Sequence, residues 1–218
     1  MVASYVRWVL VRKRDPASPA PEPTVPELPD AVSAEALLVP AALDLGGYDT
    51  ASAGGPYLWD DYQPGERIDH LDGITIEDAE HMMITRLSQN AAPIHFNAQS
   101  TREGRFGRRV VMGGHIISLA RALSFNGLAN AFKVAAINGG AHTAPAFGGD
   151  TIYAWTEILE KMPLPERADV GALRLRTVAL KDRDCAGFPY KDGQGKYDPS
   201  VVLDLDYTVL MPRKSISL

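Results

Sequence analysis

The run Ile84-Thr85-Arg86-Leu87-Ser88-Gln89-Asn90-Ala91-Ala92-Pro93-Ile94-His95-Phe96-Asn97 holds the densest set of side chains suited to chemistry. Histidine titrates near neutrality and moves a proton in either direction. An amide orients water but cannot take its proton. A proline between Asn90 and His95 breaks the helix, so the two can converge; a continuous helix would set them on different faces. Taken alone, the simpler account is structural, with Asn90 capping a helix and His95 packing. A second element is Arg109-Val110-Val111-Met112-Gly113-Gly114-His115. Two glycines ahead of a helix expose its first amides, which suit a developing oxyanion with the helix dipole behind them. A lone Gly-Gly of this kind is usually just a turn. A proton shuttle and oxyanion donors about twenty residues apart fit thioester chemistry better than either does alone.

Helices and strands must position these groups. Ile76, Ala79, Met83 and Leu87 fall at helical spacing and predict a helix over 76–90. Thr75-Ile76-Glu77-Asp78 reads as its capping box, and Pro93 as its end. A second helix follows Gly113-Gly114, with Ile116, Leu119, Ala120 and Leu123 as its apolar stripe and Asn126-Gly127 as its stop. Alternating patterns place strands near 132–138, 150–160, 171–181 and 201–211. One long helix followed by several strands predicts an α+β domain over 57–218, an antiparallel sheet wrapped on a central helix.

The beginning of the chain reads differently. Residues 1–14 alternate like a strand that has no sequence neighbour, so its amides must be met elsewhere. Its run 8–13 is faintly similar to 208–214, a match short enough to arise by chance. Pro16, Pro19, Pro21, Pro23, Pro26 and Pro29 then make an extended linker. Residues 31–56 are weakly patterned and read as a continued connector, so 15–56 is one linker segment.

Composition bounds the function. The 218 residues carry 22 basic and 27 acidic side chains, a net charge of −5, so no overall basic field faces nucleic acid. Hydrophobic content of 45% and charged content of 22% are ordinary for a globular chain. Cys185 is the single cysteine, which excludes an internal disulfide and a cysteine-based zinc site and fits a reducing compartment. No stretch of 18 apolar residues is present, and near the start Arg7 lies inside the apolar run and the other charges follow it, whereas a secretory signal has its positive end first. The expectation is a cytoplasmic protein with no metal, nucleic-acid or membrane partner.

Thr85-Arg86-Leu87-Ser88-Gln89-Asn90-x-x-Pro93-Ile94-His95, followed by Phe106-Gly107-Arg108-Arg109-Val110-Val111-x-Gly113, resembles the hydratase motif of the MaoC-like, hot-dog-fold (R)-specific enoyl-CoA hydratases. That motif has an acidic residue, four further residues and the catalytic histidine; a later helix-start glycine offers its amide to the thioester oxygen. His95 and Gly113 match. Asn90 stands where the acid would be, and Met112 where a histidine precedes the glycine. Residues 5–16, 113–127, 149–155, 184–190 and 197–204 are similar to the branch of that family acting on mesaconyl-CoA (2-methylfumaryl-CoA), in which an asparagine at the acid position is expected.

The resemblance implies a hydro-lyase that adds water reversibly to an enoyl-CoA, here converting mesaconyl-CoA to 3-methylmalyl-CoA. His95 is then the base, Asn90 orients water and the Gly113 amide holds the enolate oxygen. Arg86 is the nearest cation for the free carboxylate. Arg102, Arg105, Arg108 and Arg109 form a basic cluster suited to CoA phosphates, while Gly114 and His115 sit at the same helix start as substrate contacts. Surface ion pairs for the arginines and packing for His115 are the structural alternatives. Glu80, His81 and His115 are candidates for a second acid–base group, and a one-base mechanism is the simpler one. No cofactor is implied, because CoA belongs to the substrate. Members of that branch carry two hot-dog repeats; the likeness covers the end of the first (1–14), the linker (15–56) and the whole second repeat (57–218). It implies a second hot-dog repeat or a homo-oligomer as partner, since hot-dog sites lie between repeats. Two other classes stay open: a catalytically silent thioester-binding or interaction subunit, and a thioesterase, for which no acidic residue stands beside the glycine helix start.

Overall fold

Alternating β-branched and aliphatic residues over the last hundred positions build the largest element, a six-stranded antiparallel sheet. The computed structural model describes residues 5–7, 13–22, 24–186 and 190–214. Its strands are β1 (Arg67–Asp69), β2 (Ile74–Thr75), β3 (Lys133–Ala141), β4 (Thr151–Leu164), β5 (Arg167–Lys181) and β6 (Val201–Pro212). They lie in the order β1-β4-β5-β6-β3, with β2 also pairing β4. The helices are α1 (Thr50–Ala53), α2 (Asp78–Leu87), α3 (Pro93–Phe96), α4 (Ala98–Thr101), α5 (Gly113–Leu123) and α6 (Phe125–Leu128).

The sheet wraps α5. Ile116, Leu119, Ala120 and Leu123 repeat at helical spacing and are all buried. They share one core with alternate residues of the inner strands, including Leu173 and Leu175 of β5 and Leu203, Leu205, Tyr207, Val209 and Met211 of β6. This is the hot-dog arrangement, and the α+β class is as expected. Every residue of β6 is buried because it lies between β5 and β3 with both faces covered.

The second face is covered by the weakly patterned segment near residues 31–48. Leu37 and Leu45 are buried there against Met162, Leu164, Val170, Ala172 and Leu210. Polar ties hold the cover in place. Val32 N donates to Asn138 Oδ1 at 3.1 Å, Asn138 Nδ2 donates to Asp206 at 2.9 Å, and Arg174 grips the same carboxylate with two nitrogens.

Several local expectations are corrected. Thr75 does not cap α2; its hydroxyl pairs with the Thr151 hydroxyl at 2.8 Å across β2 and β4, and Glu77 takes the N-cap position without a side-chain bond. The helix ends at Leu87, and Gln89 turns the chain at φ 52°. Pro93 instead opens α3, where its fixed φ and missing amide cost nothing. The strand expected over 1–14 falls largely on residues outside those described. Among the described residues no helix is long and apolar enough to cross a membrane.

Candidate active site

Residues 110–113 form the strip on which the site is assembled. His95, in the last turn of α3, places Nδ1 2.8 Å from the carbonyl oxygen of Val110. A carbonyl only accepts, so Nδ1 carries the proton and Nε2 is left with its lone pair. Val110 N donates back to Ile94 O at 3.0 Å, so both main-chain polar groups of Val110 hold the turn that carries His95. Val111 N donates to Ala146 O at 2.9 Å, and Met112 Sδ accepts from Ser88 Oγ at 3.3 Å. The strip then turns into α5 at Gly113, whose amide, as the first of the helix, has no acceptor in a preceding turn. The sequence candidates His95 and Gly113 are thus joined through one short segment.

Gly113 is where the backbone needs a missing side chain. A β-carbon there would clash with the face of the His142 ring, nearest Nε2 and 2.8 Å from both Cδ2 and Cε1. His142 follows β3 and is held by its neighbour: Thr143 N donates to Val202 O at 3.3 Å and Thr143 Oγ1 to Val201 O. Its surface is open to solvent, yet surrounding protein pulls its pKa down, against the Val202 main chain, which raises it. The sequence reading missed His142. Gly139-Gly140 and Pro145 mark a turn around it, but its contact with Gly113 is made only when the segment after β3 reaches the start of α5.

The other candidates take varied places. Asn90 is half-buried and its Oδ1 accepts from Ala92 N at 2.9 Å, closing the turn between α2 and α3. Its side-chain amide keeps two N–H donors. Arg86 is exposed in the last turn of α2. Arg108 stacks on the Phe147 ring, 3.9 Å from its centroid, and Arg105 lies over Phe106. Arg109 pairs with Asp78 at 3.1 Å and ties the strip to the start of α2. Gly114 is exposed on the first turn of α5. His115 is buried under that turn, 3.8 Å from Glu80, and faces protein rather than solvent. His81 is 0% exposed, and neither of its ring nitrogens has a hydrogen-bond partner. Burial lowers the pKa of both, aided at His81 by the Arg109 charge and opposed at His115 by Glu80.

Other chemistry falls away. Burial pushes the Cys185 thiol up to about 12, which keeps it protonated and unreactive. Among the described residues no group of three His, Cys, Asp or Glu side chains is arranged to hold a metal. An open groove lined by Tyr57, Ile68, Leu71, Phe125 and Asn130 lies at the far end of α5, about 16 Å from Gly113 at the rise of an α-helix.

Known proteins are similar to this chain over most of its length. A beta-methylmalyl-CoA dehydratase of Chloroflexus aurantiacus is 65% identical over 214 residues, covering 98% of this chain and 61% of the relative. A mesaconyl-CoA hydratase of Cereibacter sphaeroides is 55% identical over 214 residues, 97% of this chain and 60% of the relative. The chain therefore spans about three fifths of the length of these relatives. A crystal structure of a protein from Chloroflexus aurantiacus, described as a MaoC domain dehydratase, matches at a TM-score of 0.88 and 66% identity, over 94% of this chain and 58% of that one. A Mycobacterium tuberculosis protein with a double hot-dog fold matches at a TM-score of 0.52 and 27% identity, over 81% of this chain and 48% of that one. Residues 61–176 match the MaoC-like domain model, more than half of the chain, and the protein belongs to the MaoC-like domain family.

Proposed function

We propose that this chain is the catalytic hot-dog repeat of a hydro-lyase that interconverts mesaconyl-CoA and 3-methylmalyl-CoA by reversible addition of water. The observation that carries this reading is the His95 ring, fixed at Nδ1 and open at Nε2, on the same strip as the Gly113 amide. The printed names of the two curated relatives supply the acyl group.

In the hydration direction His95 Nε2 takes a proton from water as its oxygen bonds to the β-carbon. The double-bond electrons move toward the thioester, and the Gly113 N–H holds the resulting enolate oxygen. Losing one such donor costs on the order of 3 kcal/mol of barrier. The Asn90 amide donates to the attacking water and holds it in line. A proton added at the methyl-bearing α-carbon completes the product. Arg86 meets the free carboxylate. Arg108 and Arg109, with the Gly114 amide and the first turn of α5 that His115 underlies, bind the CoA end. No cofactor takes part beyond the CoA of the substrate, and the reaction is placed in the cytoplasm.

The partner is a second hot-dog repeat or a second copy of this chain. Two features support it: β3 is an outer strand of the sheet with Val134 and Ile137 exposed, and Leu87, Ile94 and Phe96 are exposed around His95. The purified chain, mixed with mesaconyl-CoA, is expected to bleach the enoyl-thioester absorbance and yield a product heavier by one water. Asn90, which cannot take a proton, favours one other reading, a silent thioester-binding subunit. Binding without turnover at every protein concentration would support that reading instead, and release of free thiol would indicate thioester hydrolysis.

A further inference from the structure

We infer that His142 is a second catalytic residue of this reaction, the group that takes the α-proton from 3-methylmalyl-CoA on dehydration and returns it on hydration. The inference rests on the proposed function and adds a residue and a step to it.

The contact with Gly113 carries the argument. The imidazole packs where a side chain at 113 would be, so glycine is required there by the histidine as well as by the amide it exposes. A thioester whose oxygen sits on the Gly113 N–H has its α-carbon one bond from the carbonyl carbon. The His142 ring lies against the Gly113 α-carbon, the atom next to that N–H, and so within a side chain's reach of the acyl α-carbon. His95, held by the Val110 carbonyl three residues earlier in the strip, serves the oxygen on the β-carbon.

Elimination among the remaining groups points the same way. Asn90 cannot take a proton. His70 and His81 are 0% exposed and His115 is 4% exposed, so none of them can touch substrate. His70 also has both ring nitrogens engaged, by Asn126 O and Thr156 Oγ1. Of the five histidines, only His95 and His142 reach the surface. The bonds from Thr143 to Val201 and Val202 fix the backbone that carries His142. Desolvation by the surrounding protein favours the neutral ring, the form that accepts a proton.

The step balances. On dehydration neutral His142 takes the α-proton, and the C–H pair becomes the enolate held at Gly113 N–H. The enolate re-forms the double bond as the β-carbon–oxygen bond breaks, and His95 imidazolium gives its proton to the leaving hydroxide. The products are mesaconyl-CoA, water, neutral His95 and imidazolium His142. Hydration is the reverse.

The test compares the full chain with His142→Gln, His142→Ala and His95→Asn, using 3-methylmalyl-CoA and mesaconyl-CoA. Turnover is followed by absorbance, and solvent exchange of the α-hydrogen by mass in D2O. His142→Gln is expected to lower kcat at least about 100-fold with KM within about threefold, and to stop α-hydrogen exchange. His142→Ala is expected to regain activity and exchange when free imidazole is added, a rescue that a purely structural histidine would not give. Because His142 is exposed, its loss leaves no buried cavity, and thermal melting checks the fold of each variant. Turnover by wild type with both His142 variants within about threefold, or no rescue by imidazole, overturns the role of His142 and leaves the hydratase reading standing. No turnover by wild type on either substrate overturns both.

Discussion

His95 Nδ1 and the Val110 carbonyl oxygen, 2.8 Å apart, fix the tautomer of the candidate base. The proton sits on Nδ1, so Nε2 carries the lone pair. In 15N-labelled protein above pH 8, the His95 ring is expected to give a protonated Nδ1 and an unprotonated Nε2. The opposite tautomer would remove the base from the place this account gives it.

Gly113 and His142 are coupled by shape. Gly113→Ala pushes a methyl group against the face of the His142 ring and is expected to cost about 1–3 kcal/mol of stability. His142→Ala alone is close to neutral for stability because the ring is exposed. The double variant Gly113→Ala/His142→Ala is expected to recover most of the loss, a coupling of about 1 kcal/mol or more that urea melts would measure. Additive effects would mean that the ring does not occupy the space above Gly113.

Four histidines make stability fall in mild acid. Burial lowers the pKa of His70, His81, His115 and His142, so each prefers to be neutral when folded. The unfolded chain then binds protons first. Their contribution is whole above the unfolded value of about 6.5 and is lost as pH drops below it, until the folded values are reached. Unfolding at pH 7.5 and pH 5.5 should show this as a lower midpoint at pH 5.5. His81 lacks partners for both ring nitrogens, so His81→Phe is expected to gain about 1 kcal/mol at pH 7 and to flatten the acid slope. A loss of 1 kcal/mol or more would show that the ring nitrogens are satisfied after all.

The segment over the second sheet face is part of the folded structure. Leu45→Ala removes a side chain buried against Met162, Leu164 and Leu210 and should lower the unfolding free energy by about 2–4 kcal/mol. A change under about 0.5 kcal/mol would make the segment a loose tether.

Periodicity made the core legible and tertiary contacts hid the rest. The stripe from Ile116 to Leu123 and the alternation in 150–160, 171–181 and 201–211 marked these elements, and the structure places α5, β4, β5 and β6 there, with β4 and β5 longer than expected. The strands β1 and β2, three and two residues long, are too short to show a period. Leu37 and Leu45 are buried by an irregular path, which leaves no periodic mark. Thr75 fits a capping signature, yet cross-strand pairing with Thr151 claims its hydroxyl. His95, Asn90 and Gly113 stood out because proline and glycine flag turns where side chains and amides are freed. His142 lies between Gly139-Gly140 and Pro145, flags of the same kind, but only the packing of its ring on Gly113 ties it to the site.

The most direct measurement is the rate of mesaconyl-CoA hydration by wild type and by His95→Asn. Asparagine keeps a donor for the Val110 carbonyl and removes Nε2. The account predicts turnover by wild type and a fall of at least about 100-fold in the variant, with an unchanged melting curve. A variant that is folded and hydrates mesaconyl-CoA at the wild-type rate would contradict it.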